Sequence, residues 1–212
     1  MLLSAILLAL LLSCSGGFKT LEGEDEIFLD PSFWRRAEAM FEESGGGWWL
    51  REKITTVRFE GGNWYVSEDH HDQLVVLNAE TMEEYADVSI PFGPTSRVAW
   101  LHARTITSAG EVIPVPTGSI FERSRIPGFM LYADTKAKVF AMPGFSDRCV
   151  IDLIYRIEDQ ALYFMDAFEF GDVLPVRKAR YSYAFPRAVH KAGYRIHYMN
   201  HNVDAVPRDE GR

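Results

Sequence analysis

Residues 149–157 read CVIDLIYRI. Cys149, Ile151, Leu153, Tyr155 and Ile157 alternate with Asp152 and Arg156. Side chains along a strand point to opposite faces in turn, so this spacing predicts a β-strand with an apolar face and a charged one. The same period recurs on both sides. In VRKARYSYAF (176–185), Ala179, Tyr181, Tyr183 and Phe185 oppose Lys178, Arg180 and Ser182. RVAWLHARTI (97–106) and YRIHYM (194–199) are likewise rich in β-branched and aromatic residues, which fit a pleated, half-buried surface. TSAGEV (107–112) reads as a turn in which Gly110 takes positive φ. AETMEEYADV (79–88) has room for one helical turn between strands. Many short strands separated by Gly and Pro predict a mainly β fold, an antiparallel β-sandwich or open barrel-like sheet.

One segment departs from period two. DPSFWRRAEAMFEESGGG (30–47) predicts a single N-terminal amphipathic helix. Asp30 can cap its first turn, and Pro31 suits the first helical position because its missing N–H would be unpaired there. Phe33, Trp34, Ala37, Met40 and Phe41 form one stripe, expected to pack on the body of the domain. Gly45–Gly47 ends the helix and reads as a linker.

The chain begins MLLSAILLALLLSCSGG. The apolar run Leu2–Leu12 is shorter than the roughly 20 residues needed to cross a bilayer, but it suits the core of a signal peptide. It ends Leu11-Leu12-Ser13-Cys14, which resembles the bacterial lipobox. That resemblance implies cleavage before Cys14, lipidation of its sulfur and acylation of the new amino terminus, and two or more acyl chains anchor stably. No Lys or Arg precedes the run, a departure from most signal peptides; the alternative is a secreted protein. Ser15, rather than Asp, follows the cysteine, which fits passage to the outer membrane, facing the periplasm. The expected organisation is a signal peptide at 1–13, a tether at 14–29, the helix and Gly linker at 30–47, and the β domain at 48–212.

The composition is that of an exported globular domain, with 47% hydrophobic and 25% charged residues. A net charge of −8 argues against nucleic acid and against anionic headgroups as partners of the folded body. With Cys14 lipidated, Cys149 is the one remaining thiol, so no internal disulfide can form.

Five pieces in order resemble the domain of unknown function that precedes transglutaminase-like domains in bacterial exported proteins. They are YADVSIPF (85–92), HARTITSAGEVIPV (102–115), FMLYADTKAKVFAMPG (129–144), VIDLIYRIED (150–159) and PVRKARYSYAFP (175–186), with YRIHYMNHN (194–202) as an extension. The resemblance implies a sandwich-like domain without an established activity of its own. Arg148 stands where that family usually has Gly before the VID strand, and no Cys-His-Asp triad follows Phe185.

Candidate chemistry is sparse. Cys149 lies on an apolar strand face, where burial rather than reactivity is expected. His197 and His201 would share a metal on a helix, but in a strand they stand roughly 13 Å apart. SEDHHDQ (67–73) is the most polar cluster. If extended, Asp69 and His71 share one face and His70 and Asp72 the other, a weak metal-ligand pattern. The competing reading is a solvated hairpin tip. Trp48 and Trp49 should point to opposite sheet faces; with Trp64 they are candidates for stacking on a sugar or anchoring a protein partner. No phosphate-cradling loop, nucleophile elbow or paired catalytic carboxylate is present in the sequence, and no cofactor is implied. The expectation is a non-catalytic binding or scaffolding module, held to the envelope membrane through Cys14 and working beside a transglutaminase-like or peptidase-like protein. The alternative is the N-terminal part of a larger transglutaminase-like enzyme.

Overall fold

The computed structural model describes residues 28–125, 135–160 and 168–186. Helix α1 (Pro31–Phe41) opens the described part, and nine strands follow: β1 (Gly46–Glu60), β2 (Asn63–Val76), β3 (Asp87–Phe92), β4 (Ser96–Thr107), β5 (Val112–Pro114), β6 (Phe121–Arg125), β7 (Thr135–Ala141), β8 (Cys149–Asp159) and β9 (Ala179–Ala184). They build a six-stranded sheet in the order β5-β4-β8-β2-β1-β9 and a three-stranded sheet in the order β3-β7-β6. The fold is mainly β and sandwich-like, and the sheets do not close into a barrel. One detail departs from an all-antiparallel sheet: β9 pairs with β1 in parallel, Arg51 opposite Ala179 through Thr56 opposite Ala184.

The alternation in CVIDLIYRI is the hinge of this arrangement. Cys149, Ile151 and Leu153 join Leu74, Val76, Ala103, Met82, Ile90, Phe140 and Met142 in the core between the two sheets. Val150, on the other face, joins Val75, Ile106 and Trp49 beneath α1. The large sheet is therefore covered on both faces at this end, and the first five residues of β8 are all buried, Asp152 included.

Helix α1 follows its sequence signals. The Asp30 side chain accepts from the Ser32 amide at 2.8 Å and Pro31 occupies the first turn. Phe33, Trp34, Ala37 and Phe41 are buried, and Phe33 stacks edge-on against Trp49 with ring centroids 4.6 Å apart. Met40, at the edge of the stripe, stays 46% exposed. Each fully buried aromatic contributes roughly 1.5–3 kcal/mol relative to exposure, enough to hold an 11-residue helix that would be marginal alone.

Gly45–Gly47 is not a linker. Gly46 and Gly47 are the first residues of β1, and a Cβ on Gly47 would stand 2.4 Å from the Phe41 ring. These glycines let the sheet approach the helix. Arg148, in the position where the family resemblance calls for Gly, has φ 57, the left-handed region that disfavours a side chain. Its guanidinium lies 5.6 Å from the Trp34 ring centroid and 3.0 Å from Glu38 Oε1.

Candidate functional site

The polar run 67–73 is not a hairpin tip. It is the middle of β2, a strand flanked by β1 and β8, and the β1–β2 turn lies at Gly61–Gly62 instead. Its period-two alternation sends two sets of polar groups to opposite faces of the sheet.

On the face shared with α1, Ser67, Asp69, His71 and Gln73 are all buried. Each main charge meets a partner from a neighbouring strand. Arg156 of β8 clamps Asp69 with Nε at 2.6 Å and Nη2 at 2.9 Å, and its guanidinium lies 5.6 Å from the Trp100 ring centroid. Asp152 accepts from three residues: His71 Nε2 at 2.9 Å, Gln73 Nε2 at 3.3 Å and Arg104 Nε at 2.8 Å. Burial alone would raise the Asp152 carboxyl, but the bonds and charges of His71 and Arg104 outweigh it and hold the carboxyl below its ordinary value.

On the face toward the small sheet lie Glu68, His70 and Asp72. Lys53, itself 4% exposed, reaches Glu68 Oε1 at 2.7 Å. Thr55 donates to Glu68 at 3.4 Å and meets the Tyr181 hydroxyl at 3.2 Å. His70 stacks flat on Tyr155, centroids 4.5 Å apart, and its Nε2 stands 3.6 Å from Glu68 Oε2, an ion-pair distance too long for a hydrogen bond. Burial pushes Glu68 up, yet its His70 and Lys53 neighbours bring it net down. Lys53 has the shorter contact and is the stronger partner. Asp72 differs: burial pushes its carboxyl up against the opposing charges of His70, Arg51 and His71, and it has no hydrogen bond or close ion pair among the described residues.

The candidate metal ligands thus separate as their alternation predicts, Asp69 with His71 and His70 with Asp72. Asp69 and His71 are each committed to their own partner, Arg156 and Asp152. Among the described residues no three acidic, His or Cys side chains converge as a metal site.

The tryptophans are divided. Trp48 and Trp49 do point to opposite faces, across an irregularity in the β1–β2 pairing. Trp49 is 7% exposed, packed beneath α1 with the Arg177 guanidinium 4.0 Å from its ring centroid, and so presents no contact surface. Trp48 is partly buried. It sits edge-on to Tyr85 at 6.3 Å, with Arg51 5.1 Å from its ring centroid. Trp64 packs on Phe59, centroids 4.7 Å apart, beside the β1–β2 turn. Cys149 is fully buried, and burial pushes its thiol up. It also lies on the opposite face of the sheet from His71, so the His71–Asp152 pair has no thiol to activate. Cys14, His197 and His201 lie outside the described residues.

Sequence reasoning missed Arg104, Asp152, Lys53 and Arg156 as members of buried networks. The signal was present: a charged residue in a strand whose neighbours are apolar on both sides marks a carboxylate that must find partners.

Beside Asp72, a cavity of about 230 Å³ opens between the large sheet and the small one. Trp48, Tyr85 and Tyr155 contribute rings to its wall, and Asp72, Glu84 and Asp87 contribute carboxylates. No helix among the described residues is long and apolar enough to cross a membrane.

Comparison with known proteins agrees with this architecture. No curated protein matches the sequence. Among solved structures, a chain from Parabacteroides distasonis ATCC 8503 described as a "putative protease" is similar, with a TM-score of 0.57 at 19% identity. The similarity covers 69% of this chain and 30% of that one, so this chain spans under a third of the length of the protein it resembles. At that identity the likeness concerns the fold. Residues 65–212 match DUF3857, a domain of unknown function with a solved structure. The match begins inside β2, yet β1 pairs with both β2 and β9, so the preceding strand belongs to the same sheet. With well over half its length matched, this chain belongs to the DUF3857 family.

Proposed function

We propose that this protein is a lipid-anchored, non-catalytic module of the bacterial cell envelope that binds or scaffolds, working beside a transglutaminase-like or peptidase-like protein. The supporting observation is that a similar fold makes up 30% of a longer chain described as a "putative protease", so the fold occurs joined to another part. The interior agrees. The buried Asp152 carboxylate and the Glu68 carboxylate are held by partners on neighbouring strands, and the described cysteine is buried. The anchor is Cys14, with the outer membrane facing the periplasm as its place and secretion as the alternative.

The test is the mass of the native protein extracted with detergent from its own cells. A mass equal to Cys14–Arg212 plus acyl chains, with Cys14→Ser moving the protein out of the membrane fraction, supports the module. A much larger mass overturns it and favours a second reading, also consistent with the partial coverage: the N-terminal part of a larger transglutaminase-like enzyme.

A further inference from the structure

We propose that the cavity between the two sheets, walled by Trp48, Tyr85, Tyr155, Asp72, Glu84 and Asp87, is a binding site for a primary alkylammonium group. This inference stands independently of the scaffold reading.

Three observations converge on it. First, the charge of the wall is one-sided. It carries three carboxylates and no Lys, Arg or His, and the rest is aromatic or aliphatic apart from one serine. Second, three aromatic rings share the wall, and ring faces attract cations, more strongly where water is excluded. Trp48 already demonstrates this chemistry with Arg51, 5.1 Å from its ring centroid. Third, Asp72 is the one carboxylate of β2 without a close salt bridge or hydrogen bond among the described residues, whereas Glu68 and Asp69 are both paired; its cross-strand neighbour Arg51 and His70 act on it only through longer-range charge. A carboxylate without a direct donor in a desolvating setting is costly, and an ammonium ion brings the N–H donors that it lacks.

Size and chemistry narrow the ligand. About 230 Å³ falls short of the roughly 300–1,000 Å³ of sites for drug-sized molecules, and fits a short alkyl chain with a charged head. The aliphatic wall, which includes Leu74, Ile151 and Leu153, suits the methylenes. A primary ammonium is favoured over a quaternary one because only the former can donate hydrogen bonds to Asp72. Two sources share this chemistry, a free alkylamine and a lysine side chain of a peptide.

The experiment follows the indole N–H resonance of Trp48 in the intact protein while n-butylammonium, neutral 1-butanol, a lysine-containing pentapeptide and its Nε-acetylated form are added in turn. Saturable movement with n-butylammonium and not with 1-butanol is expected, and Asp72→Asn should weaken it at least about tenfold. Stronger binding of the lysine peptide than of n-butylammonium assigns the source to a protein side chain; the reverse assigns it to a free amine. Glu84→Gln with Asp87→Asn, at exposed positions where folding is not at risk, should weaken binding several-fold. No saturable movement with either amine overturns the proposal. So does an equal response to 1-butanol or to the acetylated peptide, or full affinity in both sets of variants.

Discussion

Replacing Asp152 of β8 by Ala removes the acceptor on which its two neighbouring strands converge. His71 and Gln73 of β2 and Arg104 of β4 would each lose a bond, at 2.9, 3.3 and 2.8 Å. Hydrogen bonds to a charged group contribute about 1.5–3 kcal/mol each, and stranding a buried partner adds its desolvation. Two corrections reduce the sum. The Gln73 bond is long, and the Arg104 side chain is 25% exposed, so water recovers part of its loss. A total of about 3–4 kcal/mol follows, in line with the roughly 3–5 kcal/mol for breaking a buried ion pair. With an m-value of about 2 kcal/mol/M, the urea midpoint should fall by about 1.5–2 M. Asp152→Asn keeps one carbonyl acceptor and should lose about half as much. The pH dependence carries a sign. The folded carboxyl is held below its ordinary value, so its contribution is complete above the unfolded pKa of about 3.9 and is lost as pH falls through the lower folded value. The gap between wild type and Asp152→Asn should therefore be full at neutral pH and close in acid. A loss under about 1 kcal/mol for Asp152→Ala, or a gap that widens in acid, would refute the claim that this network holds the sheet together.

Three further outcomes follow from the packing. Phe33→Ala empties a fully buried site against Trp34 and Trp49 and should cost about 3–5 kcal/mol by urea unfolding. Arg148→Gly relieves a left-handed backbone worth about 1–2 kcal/mol and gives up the contacts of a half-exposed side chain to the buried Trp34 and to Glu38, so stability should hold or rise, whereas Arg148→Ala keeps the strain and should fall below it. Cys149 should resist thiol reagents in the folded protein and react only on unfolding, because burial both shields the sulfur and raises its pKa; rapid labelling under native conditions would contradict its placement.

Much of this protein is decided by alternation and end signals alone. The β period of 149–157 assigned Cys149, Ile151 and Leu153 to one core, Asp30 and Pro31 marked the helix start, and Gly110 marked its turn, with φ 85. These features follow from local geometry, so they are legible without a tertiary contact. Residues 67–73 were legible only as two alternating polar sets. Composition could not distinguish a solvated tip from a central strand, because what keeps Asp69 and His71 inside is Arg156 and Asp152, 87 and 81 residues away. The Gly45–Gly47 run misled for a similar reason: a glycine that frees a linker and one that admits Phe41 at close range look alike until the helix is in place. The parallel pairing of β9 and the cavity at Asp72 also belong to the tertiary structure. Partners distant in the chain decide which strand edge is filled, and which carboxylate is left without a close ion pair.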